Sequence, residues 1–321
     1  MRGLRLVLLL LAVAAPSLAR AEYPDRPIRL IVPQAAGSAT DTVARILAAE
    51  MTRELGGVQI VVDDKPGAAL TLGLDLVARS APDGYTIGVG PIGALAITRH
   101  MMAKLPYVIE RDFKPIGLIV RGHLLLAVTP SLPVKSVQEL IAYAKANPGK
   151  LLNASSSNGS PGHVGGELFK YMTGTDIVHV PYKGGAAAIN DLIAGRVQLM
   201  FESLNSIAPF AHAGTIHALA VGSDHRSAAF PELPTIAEAG VPGYDAGTWT
   251  GIIAPAGVAQ PIVDKLNAAI NRSIASPTFK TRFAQIGDEP GGGTPEDFAK
   301  VIAADSAKWK DVVERSGARI E

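Results

Sequence analysis

From Ile28 onward, short apolar runs of strand length alternate with stretches in which apolar residues recur every three or four positions. The runs "IRLIV", "VQIVV" and "YTIGVG" read as strands, and the segments Asp41 to Leu55 and Leu72 to Arg79 between them read as helices. Such alternation is the mark of βαβ units and a mostly parallel sheet. "FKPIGLIVRGHLLLAV" is too long for one simple strand and carries Arg121-Gly122 at its middle, so it is expected to cross from one folding unit to another. The rhythm then resumes. "SVQELIAYAKANPG" predicts a helix with Ser136 as N-cap, Glu139 three residues on and a Pro-Gly stop. "KLLNASS", "DIVHVPY", "VQLMFES" and "IHALAVG" are strands, each of the first three leading into a helix. After the strand-like "GTWTGIIAP", the tail is chiefly helical, over 261–276, 277–286 and 295–316. Helices that end a chain need a surface to cover, and returning them to the first unit gives two crossings, near 122 and 250.

Composition changes this picture at the N-terminus. Arg2 and Arg5 precede an apolar run from Leu6 to Ala15, and Ala19-Arg20-Ala21 offers an A-x-A cleavage site. This pattern predicts a secretory signal over residues 1–21, cleaved near Ala21, since the run is shorter than the roughly 20 residues a membrane span needs. The 300 residues that remain suffice for two domains with separate cores. Without Arg2, Arg5 and Arg20 the balance is 27 basic against 29 acidic residues, a formal charge of −2. That balance gives no basic patch for nucleic acid. Cysteine is absent, which excludes disulfides and thiolate metal sites.

The candidate chemistry lies where strands hand over to helices. "VPQAAGSATD" puts almost no side-chain bulk between a strand and a helix, so a ligand can approach the backbone, and the free N–H groups at a helix start favour an anion. The same residues also suit a plain tight turn with Thr40 or Asp41 as N-cap. "NASSSNGSPGHVGGE" repeats the construction in the second half, with Pro161 placed for a first helical turn, and "HVPYKGGAAAIND" supplies a third candidate at Gly184 and Gly185. Two such turns, one per unit, imply a cleft between them. No Arg or Lys lies within 34–41 or 155–163. A carboxylate there is expected to be held by backbone N–H groups and by Ser38, Thr40, Ser156, Ser157, Asn158 and Ser160. Glu202 ends a strand, where open α/β sheets bind ligands, and reads either as an acceptor in the cleft or as a solvated loop carboxylate.

Other motifs compete. "GVGPIG" matches G-x-G-x-x-G through Gly88, Gly90 and Gly93, with Glu110 about 20 residues on, but Pro91 sits inside it and the unit is not the first of its domain. A loop lining the cleft is preferred to a dinucleotide site, and no cofactor is expected. His163 and Glu167 share a helix face at i, i+4, yet no further ligand is evident, so no metal site is expected. Ser156 or Ser157 with His163 sketches a secreted α/β serine hydrolase, although no G-x-S-x-G elbow is present. Asp63-Asp64 reads as a turn, and Trp249 as a packed hinge aromatic or a stacking surface.

At "YPDRPIRLIVPQAAGSATDTVAR", "VVDDKPGAA", "PDGYTIGVG", "HVPYKGG", "PELPTIAEAG" and "WTGIIAPAG" the chain resembles the Bug family of periplasmic solute receptors, the extracytoplasmic component of tripartite tricarboxylate transporters. The resemblance runs over essentially all of residues 22–321. It implies a two-domain, type II periplasmic binding protein of the Venus flytrap kind, each domain a mostly parallel sheet flanked by helices. Residues 22–122 with 250–321 would form domain 1 and residues 123–249 domain 2. It further implies a periplasmic, non-catalytic monomer that delivers a small mono- or dicarboxylate, with amino acids and aromatic acids in range, to membrane permease subunits or a sensor. The ligand-binding positions expected on both grounds are Gln34, Gly37, Ser38, Ala39, Thr40, Asp41, Gly90, Ser155, Ser156, Ser157, Asn158, Ser160, His163, Tyr182, Gly184 and Glu202. The chain departs from the family pattern at Gln34, where an aromatic is usual, at Ala69-Leu70 in place of Gly-Gly, and at Glu202 in place of Asp.

Overall fold

The computed structural model describes residues 22–320, so the expected export signal over residues 1–21 lies outside the described residues. The chain opens with β1 (Ile28–Val32), α1 (Ala39–Glu54), β2 (Ile60–Asp64), α2 (Thr71–Ala78) and β3 (Thr86–Pro91). A π-helical turn over Gly93–Ile97 leads to α3 (Thr98–Met101), α4 (Ile109–Asp112) and the long β4 (Phe113–Gly122). His123 alone separates β4 from β5 (Leu124–Val128), which is followed by α5 (Val137–Ala146), β6 (Leu151–Ser155), α6 (Pro161–Thr173) and β7 (Ile177–Pro181). Then come α7 (Gly185–Ile193), β8 (Leu199–Ser203), α8 (Leu204–His212) and β9 (His217–Val221). The return is made by β10 (Thr248–Pro255), α9 (Gln260–Ala275), α10 (Pro277–Ile286), β11 (Glu289–Pro290) and α11 (Pro295–Ser316).

These strands form a 6-stranded sheet in the order β11-β4-β10-β3-β1-β2 and a 5-stranded sheet in the order β7-β6-β8-β5-β9. β1 is parallel to β2 and β3, while β10 runs antiparallel to both β3 and β4. In the second sheet β6 is parallel to β7 and β8, and β5 opposes β8 and β9. β10 in the first sheet, with the two-residue β11, and β5 in the second run against the common direction, and β10 and β5 each follow from a passage between the sheets. The parallel strands β1, β3, β6 and β8 all present their C-terminal ends to the space between the two units, which is where such sheets place helix starts and ligands.

Local chemistry explains the element ends. Ser136 caps α5 by accepting the Glu139 N–H at 3.1 Å, but the Glu139 carboxylate reaches one residue further back, to the Lys135 N–H at 2.6 Å. The fully reciprocal box forms at the start of α11, between Thr294 and Asp297. Helix α6 lies close on its sheet because glycines face it. A Cβ on Gly162 would stand 2.0 Å from the Phe201 carbonyl oxygen, and one on Gly166 would stand 2.1 Å from the Asn153 amide nitrogen.

Three expectations need correction. Asp63 and Asp64 end β2 instead of forming a turn, paired in register with Ile31 and Val32, and Arg29 and Arg45 neutralise them at 2.7 and 2.8 Å. "GVGPIG" is not a loop either. β3 continues to Pro91, with Gly90 buried and its missing Cβ position filled by Leu95 at 2.4 Å. Finally, α11 does not cover the first unit alone. Its Phe298 packs on β10, where a Cβ on Gly251 would meet it at 2.2 Å, whereas Arg315 near its end bonds the Tyr171 hydroxyl of α6 and lies over that ring. One apolar cluster accordingly runs through both units, from Ile31 and Leu95 to Phe201 and Trp309. Separate cores back each sheet, one around Leu30, Leu47 and Ile270 and the other around Leu125, Met200 and Ile207. Among the described residues no helix is long and apolar enough to cross a membrane.

Candidate functional site

Between the two sheets lies a cleft of about 890 Å³, within the range of small-molecule sites. The turn from β1 to α1 forms one wall and brings Gln34, Gly37, Ser38, Ala39 and Thr40 to it; the facing wall carries Ser156, Ser157, Ser160, Gly184 and Glu202. The two units approach each other beside the cleft, where a Cβ on the lining residue Gly93 would stand 3.4 Å from the Gly159 carbonyl. No arginine lines the cleft, and Lys183 is its one lining lysine among the described residues.

In the first wall Ser38 caps α1 by accepting the Asp41 N–H, and Asp41 returns the favour by accepting the Gly37 N–H at 2.7 Å. Ser38 N–H bonds the Ala35 carbonyl at 3.1 Å. Two turn amides are thus already spent, and the donors left to a ligand are Ala39 and Thr40, at the first helical positions where no intrahelical acceptor exists. Asp41 itself is 3% exposed, lies 2.8 Å from the Arg45 guanidinium and does not line the cleft. It shapes the turn. Gln34 contributes a buried side-chain oxygen with no protein partner, next to the open space.

The second wall is built differently. Ser160 caps α6 through the His163 N–H, and His163 Nδ1 accepts the Gly159 N–H at 3.1 Å while its ring stacks on His179, centroids 3.8 Å apart. Burial holds both rings neutral, lowering His163 to about 3 and His179 to about 4. Ser155 is fully buried and gives its hydroxyl proton to the Ser157 carbonyl, so His179 Nε2–H must be the donor in their 2.6 Å contact. His163 and Ser155 therefore brace the turn from behind and do not reach the cleft. Asn158 points to solvent, and Tyr182 donates to Asp191 at 2.7 Å; neither lines the cavity. Because α6 begins with Pro161, which has no N–H, this wall offers hydroxyls more than amides. No hydrolytic dyad forms, since the His163 side chain bonds a backbone amide and neither Ser156 nor Ser157.

The start of α7 opens on the cleft at Gly184 and Gly185, as the third candidate turn implied, but sequence reasoning missed the start of α8, where Asn205 and Ser206 line it, and Asp288, which closes it beside the crossing strands. α8 was hard to find because its strand ends in "FES", with no glycine to announce a close approach. Trp249 is a packed aromatic, buried and donating Nε1–H to Asp305, and it also borders the cleft. Glu202 is 6% exposed, takes the Ser203 N–H on Oε1 at 2.9 Å and leaves Oε2 without a protein partner. Burial raises its carboxyl to about 7, against the Ser203 bonds. Burial likewise raises Asp288 to about 7, although Asn205 donates to it at 2.9 Å. Two carboxyl groups at the cleft are thus poised near neutrality, where a protonated carboxyl is a donor.

A tripartite tricarboxylate transporter family receptor model matches residues 43–318. The protein BugT of Bordetella pertussis is 36% identical over 96% of this chain and 94% of its own length. The solved structure of R. palustris Rpa4515 with adipate superposes with a TM-score of 0.88 at 39% identity, covering 93% of this chain and 100% of that one. MatC from Rhodopseudomonas palustris with bound malate gives a TM-score of 0.83 at 33% identity, with coverages of 91% and 100%.

Proposed function

The chain belongs to the tripartite tricarboxylate transporter receptor family, whose Bug members resemble it along nearly its whole length, and from that premise we propose that it captures a small mono- or dicarboxylate in the cleft between its two sheets. The observation that carries this reading is the convergence of the α1, α7 and α8 starts on one cavity whose lining includes no arginine. Helix starts supply N–H donors and the positive end of their dipoles, which hold an anion without a guanidinium. Ala39 and Thr40 would grip the ligand from one side; Ser156, Ser157, Gly184 and Gly185 would do so from the other. Gln34 and Glu202 would set the fit at its ends, and both are positions where this chain departs from the family pattern. Adipate and malate, found with the two related structures, define the ligand class and leave the individual solute open.

Residues 22–122 with 250–321 would move as one unit and 123–249 as the other, hinging where β4 passes into β5 and where β10 returns. Closure would be favoured because the ligand meets both walls only in the closed form. The closed monomer, exported to the periplasm by the segment removed near Ala21, would then present its ligand to the permease subunits without chemical change. Mass spectrometry of small molecules released on denaturing the purified protein, joined to a melting screen with adipate, malate, amino acids and aromatic acids, tests this reading. A ligand at 100 times its Kd should add roughly 2.7 kcal/mol of stability. If no small organic anion is retained and none shifts the melting temperature, the receptor reading fails. Binding should also strengthen as pH falls through about 7, because Glu202 and Asp288 then become neutral and stop repelling an anion.

A further inference from the structure

At the passage between the sheets three side chains unrelated to the cleft come together. His123 stands between β4 and β5 and is 2% exposed; Glu289 lies on β11, opposite Arg121; His225 follows β9 in the other unit. One oxygen of Glu289, Oε1, lies 3.5 Å from His123 Nε2 and 3.1 Å from His225 Nε2. All three ligand atoms lie within 4.8 Å of one another.

The hydrogen bonds around the cluster decide what those atoms offer. Ser223 donates its hydroxyl proton to the His225 carbonyl at 2.9 Å, so its oxygen must accept from His123 Nδ1. With its Nδ1–H on that hydroxyl, His123 aims Nε2 at the Glu289 carboxylate oxygen, the same atom that His225 Nε2 faces from the other side. His225 is held in the same way from behind: its Nδ1 lies 2.6 Å from the Asp224 carboxylate. An imidazole whose far nitrogen is fixed by a carboxylate or hydroxyl, so that the near one is aimed at a set point, is how proteins orient metal-binding histidines. The spacing agrees, because metal–nitrogen distances of 2.0–2.1 Å in a tetrahedron put neighbouring ligand atoms about 3.3 Å apart.

We propose that His123 Nε2, His225 Nε2 and Glu289 Oε1 form a site for a borderline divalent transition metal of the zinc type, placed at the hinge. Imidazole and carboxylate donors select such ions over calcium or magnesium, which prefer oxygen ligands alone. A fourth position would face solvent, since His225 and Glu289 are 52% and 42% exposed. The bound ion would tie the loop after β9 in one unit to the edge strand of the other and so limit their relative motion. Nothing in the residue order signals this site: positions 123, 225 and 289 match no ligand spacing, and the sequence led to an expectation of no metal.

Calorimetric titration of the tag-free protein with Zn²⁺ alone, in a buffer that does not chelate, tests the proposal. One ion per chain should bind. Asp224→Asn, which touches no metal, should weaken binding roughly 10- to 100-fold by releasing the His225 ring. His225→Ala and Glu289→Gln, both at exposed positions, should weaken it at least as much with unchanged circular dichroism. Absence of saturable binding up to millimolar Zn²⁺, or undiminished binding in His225→Ala, would overturn the assignment.

Discussion

In the first wall of the cleft a carboxylate holds the turn from strand to helix: Asp41 takes the Gly37 N–H and pairs with Arg45. In the second wall a neutral imidazole does the same work, His163 taking the Gly159 N–H with His179 stacked behind it. The first turn stands in open space, with nothing within 4 Å of a Cβ on Gly37, whereas the second is pressed onto β8 through Gly162. The same local plan thus yields one wall fixed by charge and loosely packed, and another fixed by packing around titratable groups that are kept neutral. Such a difference should appear in how each wall responds to substitution and to pH.

The largest effect is expected at Gly162. Alanine there forces a Cβ against backbone that cannot move aside, and should cost roughly 3 kcal/mol or more in urea unfolding. A small loss would mean that α6 shifts easily and that the second wall is not the rigid one. Next comes Glu202→Gln. The folded carboxyl at about 7 keeps its proton where the unfolded one, near 4.5, has lost it, so wild-type stability falls as pH rises from about 4.5 through 7. The glutamine variant lacks this dependence and should gain up to about 3 kcal/mol relative to wild type at pH 8. Equal pH profiles for the two proteins would show that Glu202 is ionised in the fold.

His163→Gln probes the opposite flank. The folded imidazole at about 3 refuses a proton that the unfolded one accepts near 6.5, so wild-type stability is full above 6.5 and is lost as pH falls below it. Glutamine keeps an acceptor for Gly159, and chemical denaturation between pH 6.5 and 5 should show a mean slope shallower by about 1 kcal/mol per pH unit. The smallest effect is expected at Gly37→Ala, where φ is +79° but space is free; left-handed strain alone should cost about 1–2 kcal/mol. If Gly37→Ala proves as damaging as Gly162→Ala, the contrast between an open wall and a packed wall is lost.

Several features could be read from residue order because their causes are local. Apolar periodicity located the strands other than the two-residue β11 and most helices, and "SVQE" announced a helix start that Ser136 does cap. Arg121-Gly122 marked the crossing within one residue of where β4 ends. Small residues after β1 and β6 pointed to turns that do line the cleft, and from them came five residues of the first wall and Ser156, Ser157 and Ser160 of the second. Other positions in the same turns faced the wrong way. Asp41, Ser155 and His163 lie within the correct segments, but each spends its polar atoms on the turn itself. Gly90 was placed in a loop because glycine-rich spacing looks alike in a loop and in a strand pressed by a neighbouring leucine.

The sequence by itself determined the strand and helix order, the two crossings and the small, arginine-free turns, since each depends on residues a few positions apart. Only the tertiary structure decided which polar atoms remain free, that Glu202 and Asp288 are buried enough to sit near neutrality, and that His123, His225 and Glu289 meet. The reason is physical: a side chain's solvent, charge partners and hydrogen-bond partners are supplied by segments a hundred or more residues away, and no local pattern records which of them will arrive.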